Sequence, residues 1–269
     1  MKKILLSLFV ISFFVGCSTN AVTGRKQLSL IPESQLQEMA VSQYQSFLSQ
    51  SKVVNAGTSK DAEMVRRVGS RIATAITDYY TKQGKGAVVS NYKWEFNLVD
   101  NKEVNAWCMP GGKVVVYSGL LPVTQNEAAL AIVLGHEITH AVAEHGNERM
   151  SKEMITQGIG ELVNVATSNN SKVNSIFNAV YGPGSQIGYS LPNSRNQEYE
   201  ADHFGLIFAA MAGYNPREAI VFWQRMASAA SSGQKPPEIL SDHPADENRI
   251  QKLQGYMNEA LKYYNPVKR

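Results

Sequence analysis

Three residues within five positions carry the most legible chemistry of this chain: His136, Glu137 and His140, in the stretch Leu130–His145 that reads LAIVLGHEITHAVAEH. The pattern is HExxH, set in a run with the composition of a buried helix. Residues four apart share a helix face, so both imidazoles can point at one metal ion. Glu137 lies about 100° round the helix from His136, close enough to reach a water beside that ion without being a ligand. Two imidazoles on a cation, with a carboxylate base beside them, are what a zinc peptidase needs. Alone the motif is a weak signal, because three fixed letters in five recur by chance and paired His on a helix are often structural. The context strengthens it. Ala128, Ala129, Ala131, Ile132, Val133 and Leu134 make the preceding turns apolar, so the polar trio sits beside a core. Gly135 leaves room for close packing against the site, and Ala141, Val142 and Ala143 extend the helix without a breaker.

Two His do not complete a catalytic zinc site; a third protein ligand is needed. The stretch Ser194–Gly205 (SRNQEYEADHFG) opens a second helix that runs on to about Gly213. Glu198 and Asp202 are four apart and share a face, whereas Glu200 falls away from both. The spacing allows Glu198 to bind the metal while Asp202 accepts a hydrogen bond from one of the His rings. Carboxylates on a solvated face are the alternative, and Ala201, Phe204, Gly205 and Phe208 argue against it. His145 and His203 lie near the motifs, but neither is spaced to complete the set, and both read as structural or surface residues. Cys108 is a poorer ligand than the three already present and reads as a buried or free thiol.

Around these residues the chain supplies mostly helices. Periodicity predicts one from about Pro32–Ser34 to Gln50 and another from Asp61 to Lys82, ended by Gly84-Lys85-Gly86. The period then changes: Trp94, Phe96 and Leu98 alternate with polar residues as in a half-buried strand. Ala106–Met109 and Lys113–Tyr117 (KVVVY) follow as strands about a Pro110-Gly111-Gly112 turn. A small antiparallel sheet therefore precedes the motif helix, expected from Thr124 to Gly146, with Lys113–Tyr117 as the edge onto which an extended peptide could add. A packing role for that strand is the equal alternative. Residues 147–192 are Gly-, Ser- and Asn-rich, with an amphipathic segment at Ser151–Val165, and read as a mobile lid or an ordinary surface connection.

Composition narrows the classes. The chain has 269 residues, 43% hydrophobic and 18% charged, with a net charge of +3. This suits one globular domain, and no basic stripe interleaved with aromatics points to nucleic acid. Lys2-Lys3 followed by the apolar run Ile4–Val15 suits a secretory signal and is too short for a comfortable membrane span. Gly16-Cys17 then resembles a bacterial lipobox, with Phe14 departing from the usual Leu, so Cys17 is expected to carry lipid. An ordinary signal peptide with an incidental Cys is the alternative.

The joint motifs resemble family forty-eight of the metallopeptidases, which includes prenyl-protein, HtpX-type and Oma-type proteases and bacterial lipoprotein relatives. The resemblance rests on HEITH, SRNQEYEAD, His243-Pro244 with Arg249-Ile250, and the Asn105-Ala106 to Leu121 segment, and covers about residues 22–262. It implies Glu198 as third ligand, Asp202 as its helper, His243 near the metal as transition-state stabiliser or as a cap on a latent site, and Arg249 supporting the same region. Unlike HtpX-type members, this chain shows no internal membrane spans in its sequence.

The expected fold is α+β and mainly α-helical, a gluzincin-type domain with a small antiparallel sheet packed on the motif helix. Residues 1–17 form a signal peptide with lipobox, 18–32 an extended tether, and 33–269 a single metallopeptidase domain. The expected activity is that of an endopeptidase with one Zn2+ per chain, Glu137 as base, and a polypeptide substrate, lipid-anchored at the outer membrane and facing the periplasm. Two rivals stand beside it: a chaperone-like binding protein with weak or latent proteolysis, and a hydrolase of a non-peptide cell-wall component.

Overall fold

The computed structural model describes residues 16–158, 171–182, 194–231 and 248–266. It opens on a short antiparallel hairpin, β1 (Cys17–Thr19) and β2 (Lys26–Leu28), with Cys17 opposite Leu28. This corrects the expected tether. Asn20, Val22, Gln27 and Ile31 are all buried, so residues 18–32 dock on the domain. The Asn20 side chain closes the loop, accepting from the Val22 and Thr23 amides at 2.9 and 3.0 Å. It also donates to the Val142 carbonyl at 3.3 Å. A tract rich in small polar residues looks like a linker, but side-chain-to-backbone bonds of this kind build a compact turn.

Helices α1 (Glu33–Gln50) and α2 (Lys60–Lys82) follow, within about a residue of their expected bounds. Ser59 caps α2 by accepting from the Ala62 amide. The sheet comprises β3 (Val53–Val54), β4 (Glu95–Val99), β5 (Ala106–Met109) and β6 (Lys113–Tyr117), in the order β3-β4-β6-β5. Two of its pairings are antiparallel; the central one, β4 with β6, is parallel, because the chain lays β5 on the far side before returning. Gly111 and Gly112 make that return at φ of 77° and 81°, where an L side chain is strained.

The strand Lys113–Tyr117 is therefore not the edge, and this second expectation is also corrected. All five of its residues are buried. Val114 and Val116 face one core cluster with α2 and the motif helix, while Val115 and Tyr117 face a second with Leu36, Ala40 and Tyr44 of α1. An unbroken apolar run such as VVV is the mark of a strand covered on both faces. The edges of the sheet are β3 and β5.

After a short helix α3 (Leu121–Thr124), the motif helix is α4 (Glu127–Val142), shorter than expected at both ends. Gln125 takes φ 64° and ends α3, and Asn126 caps α4 by accepting from the Ala129 amide at 2.8 Å. Glu144, at φ 55°, breaks the run again, so His145 begins α5 (His145–Thr156) rather than trailing α4. Helix α6 (Ser171–Tyr181) packs on α5 and adds Val173, Ile176 and Phe177 to the second core. The expected lid falls partly on these helices and partly on 159–170 and 183–192, outside the described residues. Helices α7 (Arg195–Met211), α8 (Glu218–Ser231) and α9 (Arg249–Tyr263) complete the main core, in which α4 is central. The domain is α+β and mainly helical. Among the described residues no helix is long and apolar enough to cross a membrane.

Candidate active site

The site exists where α4 and α7 cross. A Cβ added to Gly135 would stand 2.5 Å from the Gly205 carbonyl oxygen, and one added to Gly205 would stand 2.7 Å from the His136 amide nitrogen. The two backbones thus touch, and only glycine permits it. Ser194 and Gln197 form a capping box at the start of α7, fixing the turn that carries Glu198.

This crossing brings His136, His140 and Glu198 together, all buried. The Nε2 atoms of the two His are 3.1 Å apart, and the Glu198 carboxylate oxygens lie 3.4 Å from each of them. Donors about 2.05 Å from a tetrahedral ion stand about 3.3 Å apart, so the triangle has the dimensions of a zinc site. Two imidazoles and one carboxylate are also a donor set that zinc accepts. Glu137 is 4% exposed and sits on the same turn.

Each His is held from behind. His136 Nδ1–H donates to Asp202 Oδ1 at 3.0 Å, and Arg249 clamps both oxygens of that carboxylate at 2.7 Å. The Arg249 guanidinium in turn lies 3.5 Å over the Trp223 ring. Burial works against the Asp202 charge, but Arg249 and the His136 hydrogen bond outweigh it and hold its pKa below the usual carboxylate range. Burial likewise disfavours a proton on the free His136 imidazole. Its bonds to Asp202 and Glu198 outweigh that and lift its pKa to about 9, so proton and cation compete for one ring.

His140 is held differently. Its Nδ1 is 2.8 Å from Nδ1 of His145, whose Nε2 is 3.0 Å from Glu200 Oε2. Arg25, on the hairpin, donates from Nε to Glu200 Oε1 at 2.8 Å and from Nη2 to Glu148 Oε2 at 2.7 Å. Burial lowers the pKa of His145 and keeps the ring neutral despite Glu200. His145 is completely buried, and its partner Glu200 reaches it from the side of α7 turned away from Glu198. The spacing of His145 gave no hint of this, and nothing local in the sequence marks Arg25 or Glu200. The AVAEHG context, apolar on one side, is the only sign that His145 is inside.

Of the other candidates, Cys108 is a buried free thiol whose pKa is raised, first by burial and then by the nearby Glu137 charge, leaving it inert. His203 is near the surface, stacked on Tyr256 and 2.7 Å from Glu259. Cys17 is exposed. His243 lies outside the described residues.

A helical domain whose HExxH helix is joined by a glutamate from a second helix defines a class, the gluzincin fold. Within it, the model of Peptidase family M48 matches residues 59–257, and the chain belongs to that family. Among its relatives, bovine "Metalloendopeptidase OMA1, mitochondrial" is 30% identical over 261 residues, 95% of this chain and 49% of its own length. The human protein of the same name is 29% identical over 262 residues, 95% of this chain and 48% of its own. The "Beta-barrel assembly-enhancing protease" of Yersinia pestis is 28% identical over 172 residues, 62% of this chain and 35% of its own. The chain thus spans about half the length, or less, of these relatives.

Proposed function

We propose that this chain is a zinc-dependent endopeptidase of a bacterial cell envelope, acting on misfolded or damaged envelope proteins. The observation that carries the reading is the His136–His140–Glu198 triangle, with separations of 3.1 and 3.4 Å, and Glu137 beside it on the same helix. The three residues would hold the ion, which when bound polarises the scissile carbonyl and makes the attacking water more acidic. Glu137 accepts that water's proton and passes it to the leaving amine. His243 stabilises the developing oxyanion or caps the site in a latent form, as the family resemblance suggests.

The substrate lies extended along β5 (Ala106–Met109), the edge strand that packs on α4, where backbone hydrogen bonds add a strand without regard to sequence. A quality-control role needs that tolerance. Cys17 carries the lipid, at the outer membrane and facing the periplasm. A bacterial relative named "Beta-barrel assembly-enhancing protease" supports this setting.

The test is Glu137→Gln in the zinc-loaded protein. Bound zinc should persist while cleavage of a disordered protein such as casein falls by about 10²- to 10⁴-fold. Full activity in that variant would sink the mechanism. A zinc-loaded wild type that suppresses aggregation yet cleaves nothing would favour the chaperone-like rival. Substituting His243 separates its two roles: activity falls if it stabilises the oxyanion and rises if it caps the site.

A further inference from the structure

The two imidazoles at the site are supported by the same kind of partner at unequal distance. Behind His136 stand one carboxylate and one guanidinium, Asp202 and Arg249. Behind His140 the carboxylate and guanidinium are Glu200 and Arg25, with His145 interposed.

The protons along this second series have one consistent assignment. Nε2 of His140 faces Glu198 and His136, so as a ligand it offers a lone pair there and carries its hydrogen on Nδ1. That Nδ1–H donates to Nδ1 of His145 at 2.8 Å, which requires the His145 hydrogen to be on Nε2. The Nε2–H donates to Glu200 Oε2 at 3.0 Å, and Glu200 Oε1 accepts from Arg25 Nε at 2.8 Å. Every donor has an acceptor, and the series ends on a cation that neutralises the carboxylate. Arg25 is itself fixed by Glu148, which also accepts from Gln197 at 2.9 Å, one residue before Glu198.

We infer that Arg25 is a positioning residue for the metal site, acting through Glu200 and His145 on the orientation of His140. The inference rests on the metal-site reading above. It makes the docked hairpin, which begins at Cys17, part of the machinery that holds the ion. Metal retention then depends on a segment 111 positions before the first ligand, since 136 minus 25 is 111. Outer partners of metal-bound His typically change metal affinity by about 10- to 100-fold when removed.

The experiment uses the full chain loaded with zinc, and a parallel sample loaded with cobalt. Arg25→Met, Arg25→Lys and Lys26→Met, an exposed charge on the next residue of the hairpin, are compared for metal loss to a chelator and for the visible cobalt spectrum. Arg25→Met should lose metal about tenfold faster or more and shift the cobalt bands. Arg25→Lys should fall between it and wild type, and Lys26→Met should match wild type. Glu200→Gln, close in shape, should reproduce the Arg25→Met phenotype and serves if that variant does not fold. Metal retention and a cobalt spectrum unchanged in both Arg25→Met and Glu200→Gln would overturn the inference. A wild type that retains no metal would instead overturn the reading of the site itself.

Discussion

Asp202 carries two obligations at once, accepting from His136 and neutralising Arg249, with 4% of its surface exposed. Asp202→Asn keeps the shape but removes the charge, and metal retention should fall by about 10- to 100-fold in chelator competition. Asp202→Ala leaves Arg249 buried without its carboxylate and should cost about 3–5 kcal/mol in chemical unfolding. At this scale the sequence was legible wherever one helix displays its own residues. His136, Glu137 and His140 are readable from HExxH, and Glu198 with Asp202 from a spacing of four. Arg25 was not, because its contact with Glu200 spans 175 positions and no local pattern announces it. Glu200 does point away from Glu198, as its spacing in the sequence indicates. The other face of α7 is occupied as well.

Among the elements, the α4–α7 crossing decides whether the ligands meet. Alanine is the better helix former than glycine by about 1 kcal/mol, so propensity alone favours Gly135→Ala or Gly205→Ala. The added methyl would meet rigid backbone rather than a side chain that can swing aside. Overpacking of this kind costs about 1–3 kcal/mol, and the clash wins. Both variants should melt earlier and hold less zinc, as thermal unfolding with metal analysis would show. The long helices α1 and α2 were readable because periodicity over many residues averages out local noise. The rank of β6 within the sheet is not legible from its alternation, although its valine run marks it as covered on both faces. Strand order depends on which partners arrive from elsewhere, and alternation within one strand does not report it.

Across the whole molecule, the hairpin is fastened to the domain by buried charge. Burial opposes the Glu148 carboxylate, but hydrogen bonds from Arg25 and Lys152 outweigh it and lower its pKa to about 2. The folded pKa is depressed below its ordinary value of about 4.5. The stability Glu148 contributes is therefore present above pH 4.5 and lost as pH falls through about 2. Melting temperatures of wild type and Glu148→Gln should accordingly converge between pH 5 and about 2, wild type losing more. The boundary expected at residue 32 was illegible for a related reason: polar tracts that solvate a linker are also those that bury as satisfied turns. The glycine contact between α4 and α7 acts, finally, as a fulcrum. Glu198 lies seven residues from Gly205, a lever arm of about 10 Å at 1.5 Å per residue. Metal–ligand distances tolerate about 0.2 Å, which a tilt of about one degree at that pivot uses up. A core substitution that tilted the buried far half of α7 by that much would thus disturb the metal site without touching a ligand.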